Sequence, residues 1–327
     1  MIRQPWRWLF GSLVVLLMTG FLLTMNSTSA TKPDKFAENR PGGEVPIPFD
    51  SKRALADLKE ICNLGPRVSG SAAMAKQQEL LIKHFKECGA TVTLQPFKAG
   101  AQSRRDEVAM TNIVASFQPE LARRVIICAH YDTRPFADQE SDPRLKAKTF
   151  LGANDGGAGA AFLMELARNF KSVKTSVGVD LVLFDGEEYI FEREDVYFHG
   201  SRYFAQSWKE SPNPPQYHGA VLVDMIAGRD PQFPIEQTSW WQAPTLVREI
   251  YGIAGELRCK AFRSDKYSST AVQDDHVPLN QVGIKAIDII DFSYPHWHRI
   301  TDTPENCSGE GMEQVAKVLG VWIQRVR

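Results

Sequence analysis

The residues able to do chemistry gather where apolar runs end. RVIICAHYDT closes on His130 and Asp132, LVLFDGEEY on Glu187 and Glu188, and VLVDM on Asp224. LGANDGGAG sets Asp155 in a glycine-rich turn just before a helical pattern, and SYPHWHRITDT sets His298 after the last apolar run. Carboxylate oxygens and imidazole nitrogens brought together from separate elements suit a hard or borderline cation, and zinc fits that donor set best. Adjacent carboxylates such as Glu187 and Glu188 repel and raise each other's proton affinity unless a cation lies between them. Each residue also has a plainer reading. Asp155 alone would be a helix cap. His296 and His298 stand two apart, a spacing that can chelate from an extended strand but does not say which one binds. His84 reads as a solvated helix residue, and His199 and His218, without acidic neighbours, as loop or strand-end residues. The glycines match neither GxGxxG nor GxxxxGK[ST], which removes a nucleotide site.

The elements that must position these residues are readable in outline. Ser51 can cap a helix through Ile61, and Ser71 a second one, AAMAKQQELLIKHFKEC, that stops at Gly89. Short β-rich runs follow at TVTLQPF, NIVASF, RVIICAHY, VDLVLFD, AVLVDMI and AIDIIDF. Helical patterns intervene at AGAAFLMELARNF, SRYFAQSW and APTLVREIYGIAG. Strands alternating with helices imply a single α/β domain with a mostly parallel, mixed central sheet flanked by helices. Such sheets carry their ligand sites at the carboxyl ends of the strands, where the acidic and histidine clusters lie.

Composition narrows the function further. The 327 residues carry 38 Lys and Arg against 39 Asp and Glu, a net charge of -1, so binding of nucleic acid through bulk charge is excluded. Hydrophobic residues at 43% and charged residues at 24% exclude disorder, collagen and coiled coil. Arg3 and Arg7 precede Trp8–Met25, eighteen uncharged residues followed by small and polar ones. Residues 1–30 therefore read as a signal peptide cleaved after Ala30 or as an N-terminal membrane anchor, and both predict an exported protein, periplasmic, secreted or anchored through residues 8–25. Any membrane contact is expected through that segment alone. No cysteine follows it closely, which argues against a lipoprotein. Residues 31–50, rich in Pro, Gly and charge, read as a linker or wrapping arm, and residues 51–327 as the catalytic domain. Cys62, Cys88, Cys128, Cys259 and Cys307 show no CxxC spacing; their count allows one or two disulfides and leaves at least one thiol unpaired.

Taken in order, GPRVSGS, AHYDT, GANDGGAG, FDGEE, LVDM, DDHVP, HWH and DTPEN resemble the zinc aminopeptidases of clan MH, from about Ser51 to the C-terminus. Within that clan the chain is more similar to the zinc-dependent glutaminyl cyclases (glutaminyl-peptide cyclotransferases). YIFEREDVYFH after FDGEE resembles their insertion, QDDHVP their loop before the last strand, and Trp297-His298 their tryptophan and zinc histidine. The resemblance implies the zinc aminopeptidase-like (phosphorylase/hydrolase-like) fold and zinc held by Asp155, Glu188 and His298. It also implies Glu187 as general acid and base, Asp224 and Asp274 as hydrogen-bonded carboxylates beside it, and Trp297, Gln273 and Tyr294 in the substrate pocket. His130 occupies the place of a second-metal ligand in the di-zinc aminopeptidases, where Asp155 would bridge and Asp224 complete the second site. Arg193 stands where animal cyclases carry a pocket tryptophan. The activity implied is conversion of the N-terminal glutamine of peptides to pyroglutamate with loss of ammonia. A di-zinc aminopeptidase would use the same residues with a metal-bound water as nucleophile, and an exported binding protein could retain the fold without catalysis.

Overall fold

The computed structural model describes Glu44 and residues 47–327, apart from 105 and 174. The apolar run Trp8–Met25, the cleavage position after Ala30 and most of the 31–50 arm lie outside the described residues. Among the described residues no helix is long and apolar enough to cross a membrane.

The first helices among the described residues are α1 (Ser51–Cys62) and α2 (Ala72–Glu87). Ser71 caps α2 as expected, accepting from the Met74 amide. The cap of α1 is Asp50 rather than Ser51: Asp50 is the residue in extended backbone, and its carboxylate accepts from the amides of Lys52 and Arg53. Then come β1 (Thr91–Ala99), β2 (Val108–Phe117), β3 (Arg123–His130), α3 (Pro143–Lys146) and α4 (Ala158–Asn169). They are followed by β4 (Gly178–Phe184), α5 (His199–Glu210), β5 (Gln216–Asp224), β6 (Phe233–Ile235), α6 (Gln237–Gln242) and α7 (Pro244–Glu256). The chain ends with β7 (Phe262–Tyr267), α8 (His276–Gln281), β8 (Ala286–Ile290) and α9 (Glu310–Arg325). The short elements β6, β7, α6 and α8 carry too few residues to display a period, and α9 was not foreseen either.

Six strands form one sheet in the order β1-β2-β4-β3-β5-β8, antiparallel at β1-β2-β4 and parallel from β4 through β3 and β5 to β8. The fold is thus the expected mixed α/β sheet flanked by helices. Strands β3 and β4 are apolar on both sides because both are covered: Val125, Ile127 and Ala129 join one core with Leu163 and Leu166 of α4. Ile126 and Cys128 join another with Phe204 of α5 and Leu279 of α8. Strand β1, at the edge, is largely exposed. This layering leaves the carboxyl ends of β3, β4, β5 and β8 side by side at one rim. All five cysteines are free thiols, so no disulfide forms. His84 departs from its solvated reading: half-buried, it makes a 2.9 Å contact between Nε2 and the Met164 carbonyl of α4.

Candidate metal centre and active site

The rim of the parallel strands gathers the predicted donors. His130 ends β3, Asp224 ends β5, and Glu187 and Glu188 follow β4 by three and four residues. Asp155 sits in the turn that enters α4, and His298 in the loop after β8. The glycine-rich turn is required by sterics: Gly156 has φ +81°, and a Cβ there would collide with the Asp132 carbonyl and press on the His130 ring. Asp155 does not cap the helix. Its amide and that of Asn154 donate to the buried carboxylate of Asp302, which also accepts from the Tyr294 hydroxyl. Arg67, wholly buried in the GPRVSGS segment, donates to the carbonyls of Leu151 and Gly152 and braces the same turn. Asp132 accepts from the amides of Glu187 and Glu188 at 3.0 and 3.2 Å and so orients both.

Two groups share Asp155. His298 Nε2 lies 3.3 Å from Asp155 Oδ2 and 2.9 Å from Glu188 Oε2. His130 Nε2 lies 3.2 Å from Asp155 Oδ1 and 3.3 Å from Asp224 Oδ1. In both groups one donor atom per residue falls within 4.8 Å of the others, as it does for His130, Glu187 and Glu188. Donors about 2.0 to 2.2 Å from a tetrahedral zinc would stand about 3.3 to 3.6 Å apart, close to these separations. The charge balance calls for protons or a cation. Burial drives the carboxyls of Glu187 and Asp274 well above their ordinary range, and pushes Glu188 up to about 7 and Asp224 upward. Asp155 is equally buried, but the hydrogen bond from His130 and the charge of His298 hold it low. His298 rises to about 10 against the cost of burial, chiefly through the charge of Glu188. Asp155 Oδ2 is buried without a hydrogen bond, and so is His130 Nδ1. Without a cation the site must take up protons; a zinc ion fits the donor set of Asp155, Glu188 and His298.

A cleft of about 610 Å³ opens over this rim. Glu187, Asp274, Gln273 and Trp297 line it, and the Trp297 ring stands 4.2 Å from the His298 ring, centroid to centroid. Tyr294 does not reach the cleft. A turn closed by the Tyr294 amide on the Asp291 carbonyl, with Asp291 also accepting from Ser293, aims Tyr294 inward to Asp302 and leaves Phe292 on the cleft wall. Phe292 packs edge-on against Trp297 at 5.2 Å. The insertion after FDGEE supplies Tyr197 and Phe198 to the wall, whereas Arg193 is exposed and does not line it. His296 points away and contacts Thr301, which leaves His298 as the histidine of the pair at the cation group. His218 bonds Glu249 far from the site, and His199 begins α5. Sequence reasoning missed Arg67, Arg134, Asp138, Phe292 and Asp302. Asp302 had a signal in DTPEN and Arg67 in GPRVSGS, but nothing tied the other three to the site. Three non-glycine residues with left-handed backbone, Met225, Phe198 and His298, lie at this rim, where strain is commonly held for function.

Residues 112–323 match peptidase family M28. A glutaminyl-peptide cyclotransferase of Boiga irregularis is 27% identical over 242 residues, covering 65% of this chain. The match covers 64% of that relative, so the chain spans less than two thirds of its length. The crystal structure of a glutaminyl cyclase from Fimbriiglobus ruber is similar with a TM-score of 0.84 and 44% identity over 88% of this chain and all of that one. A leucine aminopeptidase precursor from Bacteroides thetaiotaomicron is similar with a TM-score of 0.80 and 28% identity over 86% of this chain and all of that one.

Proposed function

Because the chain belongs to peptidase family M28, we propose that it is the family's glutaminyl-peptide cyclotransferase, converting the N-terminal glutamine of peptides to pyroglutamate with release of ammonia. The observation that carries this reading is the position of Glu187, a carboxylate with raised proton affinity that lines the cleft beside Asp155, Glu188 and His298. The catalytic unit spans residues 51–327. Export to the periplasm or beyond, by a cleaved or retained N-terminal segment, rests on the apolar run at residues 8–25.

One zinc would be held by Asp155, Glu188 and His298. When bound there it supplies a Lewis acid that polarises the γ-carboxamide oxygen and stabilises the charge developing on it. The substrate provides its own nucleophile: the α-amine attacks the γ-carboxamide carbon, a C–N bond closes the five-membered ring, and the bond to the departing nitrogen breaks. Glu187 takes the proton from the α-amine and returns it to that nitrogen, which leaves as ammonia. Glu187 lines the cleft beside the three proposed donors, where it can reach both nitrogens. Asp224 and Asp274 keep the polar wall beside it, with Asp224 hydrogen-bonded to His130. Trp297, Phe292 and Gln273 receive the glutamine side chain.

The same donors would serve a di-zinc aminopeptidase through the group His130, Asp155 and Asp224. The likeness to the leucine aminopeptidase precursor keeps that reading in view, but the greater identity to a glutaminyl cyclase favours cyclisation. A binding protein without catalysis would not require Glu187 and three cation donors together. Incubation of the zinc-loaded protein with Gln-Phe-Ala, followed by mass spectrometry, separates the readings. Loss of ammonia is expected; release of free glutamine would instead establish an aminopeptidase, and an unchanged peptide would leave a binding protein.

A further inference from the structure

The segment between β3 and α3 grips the last cation donor through a residue to which no role attaches. Asp138 Oδ1 lies 2.8 Å from His298 Nδ1, and its other oxygen lies 3.3 Å from the Arg134 guanidinium. The next two residues continue the contact: the Gln139 amide donates to the His298 carbonyl, and Glu140 accepts from the Ile300 amide at 2.9 Å. At the head of the same segment the Arg134 amide donates to Glu188 Oε1 at 2.8 Å, leaving Glu188 Oε2 facing His298 Nε2. Residues 134–140 thus touch two of the three cation donors, and they hold His298 in left-handed backbone at φ +51°.

The chemistry of the contact decides the imidazole's orientation. An ionised carboxylate only accepts hydrogen bonds, so Asp138 requires a proton on His298 Nδ1. The Arg134 guanidinium, 3.3 Å from the other carboxylate oxygen, can only donate, so Asp138 faces donors on both sides and serves as the acceptor. With Nδ1 protonated, a neutral ring directs the lone pair of Nε2 at Asp155 and Glu188, an assembly of acceptors that only a cation or a proton can reconcile.

We propose that Asp138 is a positioning residue that selects the Nδ1–H tautomer of His298 and fixes its ring so that Nε2 is presented to the cation. This inference rests on the ligand set in the proposed function. Partners of metal-bound imidazole contribute typically 10- to 100-fold in metal affinity.

The test measures zinc dissociation constants of the full chain by competition with a chelating dye, with thermal unfolding of each zinc-free variant recorded alongside. Asp138→Ala is expected to weaken zinc binding about 10- to 100-fold. Asp138→Asn keeps a carbonyl acceptor for Nδ1–H and is expected to restore affinity to within about threefold of the parent. Because Asp138 is half-buried, both variants are expected to unfold within a few degrees of the parent when zinc-free. His298→Ala is the control and is expected to lose more affinity than either. Parental affinity in Asp138→Ala, with affinity lost in His298→Ala, would overturn the positioning role and leave the proposed ligands standing. Equal loss in the Ala and Asn variants would overturn the role as well, because the charge and not the acceptor would then matter. Parental affinity in His298→Ala would overturn the ligand set itself.

Discussion

Buried charge occurs at both ends of the central sheet, and the two ends treat it in opposite ways. At the amino ends of the parallel strands Asp180 of β4 accepts from Ser116 and Tyr217 and pairs with Arg124 through two guanidinium nitrogens. The remaining donors of Arg124 reach the carbonyls of Phe117, Gln118, Leu121 and Val179. Every charge there meets its opposite within the chain, and the cluster is closed. At the carboxyl ends Asp155, Glu187, Glu188, Asp224 and Asp274 crowd around two imidazoles, with buried atoms left unbonded and the proton affinities of all but Asp155 raised. Burial costs both clusters desolvation, and in the first the Arg124–Asp180 pair offsets it within the chain. The open cluster is therefore the one poised for a ligand.

Three substitutions break or sharpen that contrast. The largest effect is expected from Glu187→Gln in the open cluster, with turnover falling about 10²- to 10⁴-fold for loss of the proton shuttle. Stability should move the other way. A carboxyl whose folded proton affinity exceeds its unfolded one is destabilising once the pH rises above the unfolded value, so the neutral variant, zinc-free at neutral pH, should unfold no lower than the parent. Retained turnover would remove Glu187 from the mechanism, and a lower unfolding temperature would mean the cluster is not strained as described.

In the closed cluster the signs reverse. Asp180→Ala leaves Arg124 buried without its partner and is expected to cost about 3 to 5 kcal/mol in denaturant unfolding, with zinc affinity unaltered. A loss of zinc affinity of similar size would show that the two ends are not independent.

The smallest effect concerns a third group, Glu236, which shows that a carboxylate near the open cluster can still be closed. Against the cost of burial, its contact with His276 and the amides of Val272 and Ser239 hold it down to about 2, from an ordinary 4.5. Its contribution is present above pH 4.5 and lost as the pH falls from there towards about 2. Comparing denaturant unfolding of the parent with Glu236→Gln should give a gap of about 2 kcal/mol at neutral pH that narrows below pH 4.5. A gap independent of pH would mean that the hydrogen-bond geometry, and not the charge, is what Glu236 provides.

The sequence alone determined the features whose physics is local or periodic. Apolar runs of strand length marked all six strands of the main sheet, the alternation of strands and helices predicted a mostly parallel mixed sheet, and Ser71 marked the start of α2. Because such a sheet places strand ends at one rim, the motifs at those ends named His130, Asp155, Glu187, Glu188, Asp224 and the pair His296 and His298, of which the family resemblance chose His298, and the family match bears out the kinship they imply. Tertiary structure decided what depends on approach through space. Asp138 and His298 stand 160 positions apart, as do Glu140 and Ile300, and no period links such residues. The inward turn of Tyr294 and the outward turn of Phe292 follow from a bend at Asp291, which composition cannot orient. Which of two neighbouring histidines meets Asp155 and Glu188 depends in the same way on contacts to Asp138 and to Thr301 that exist only once the loop has folded against the rim.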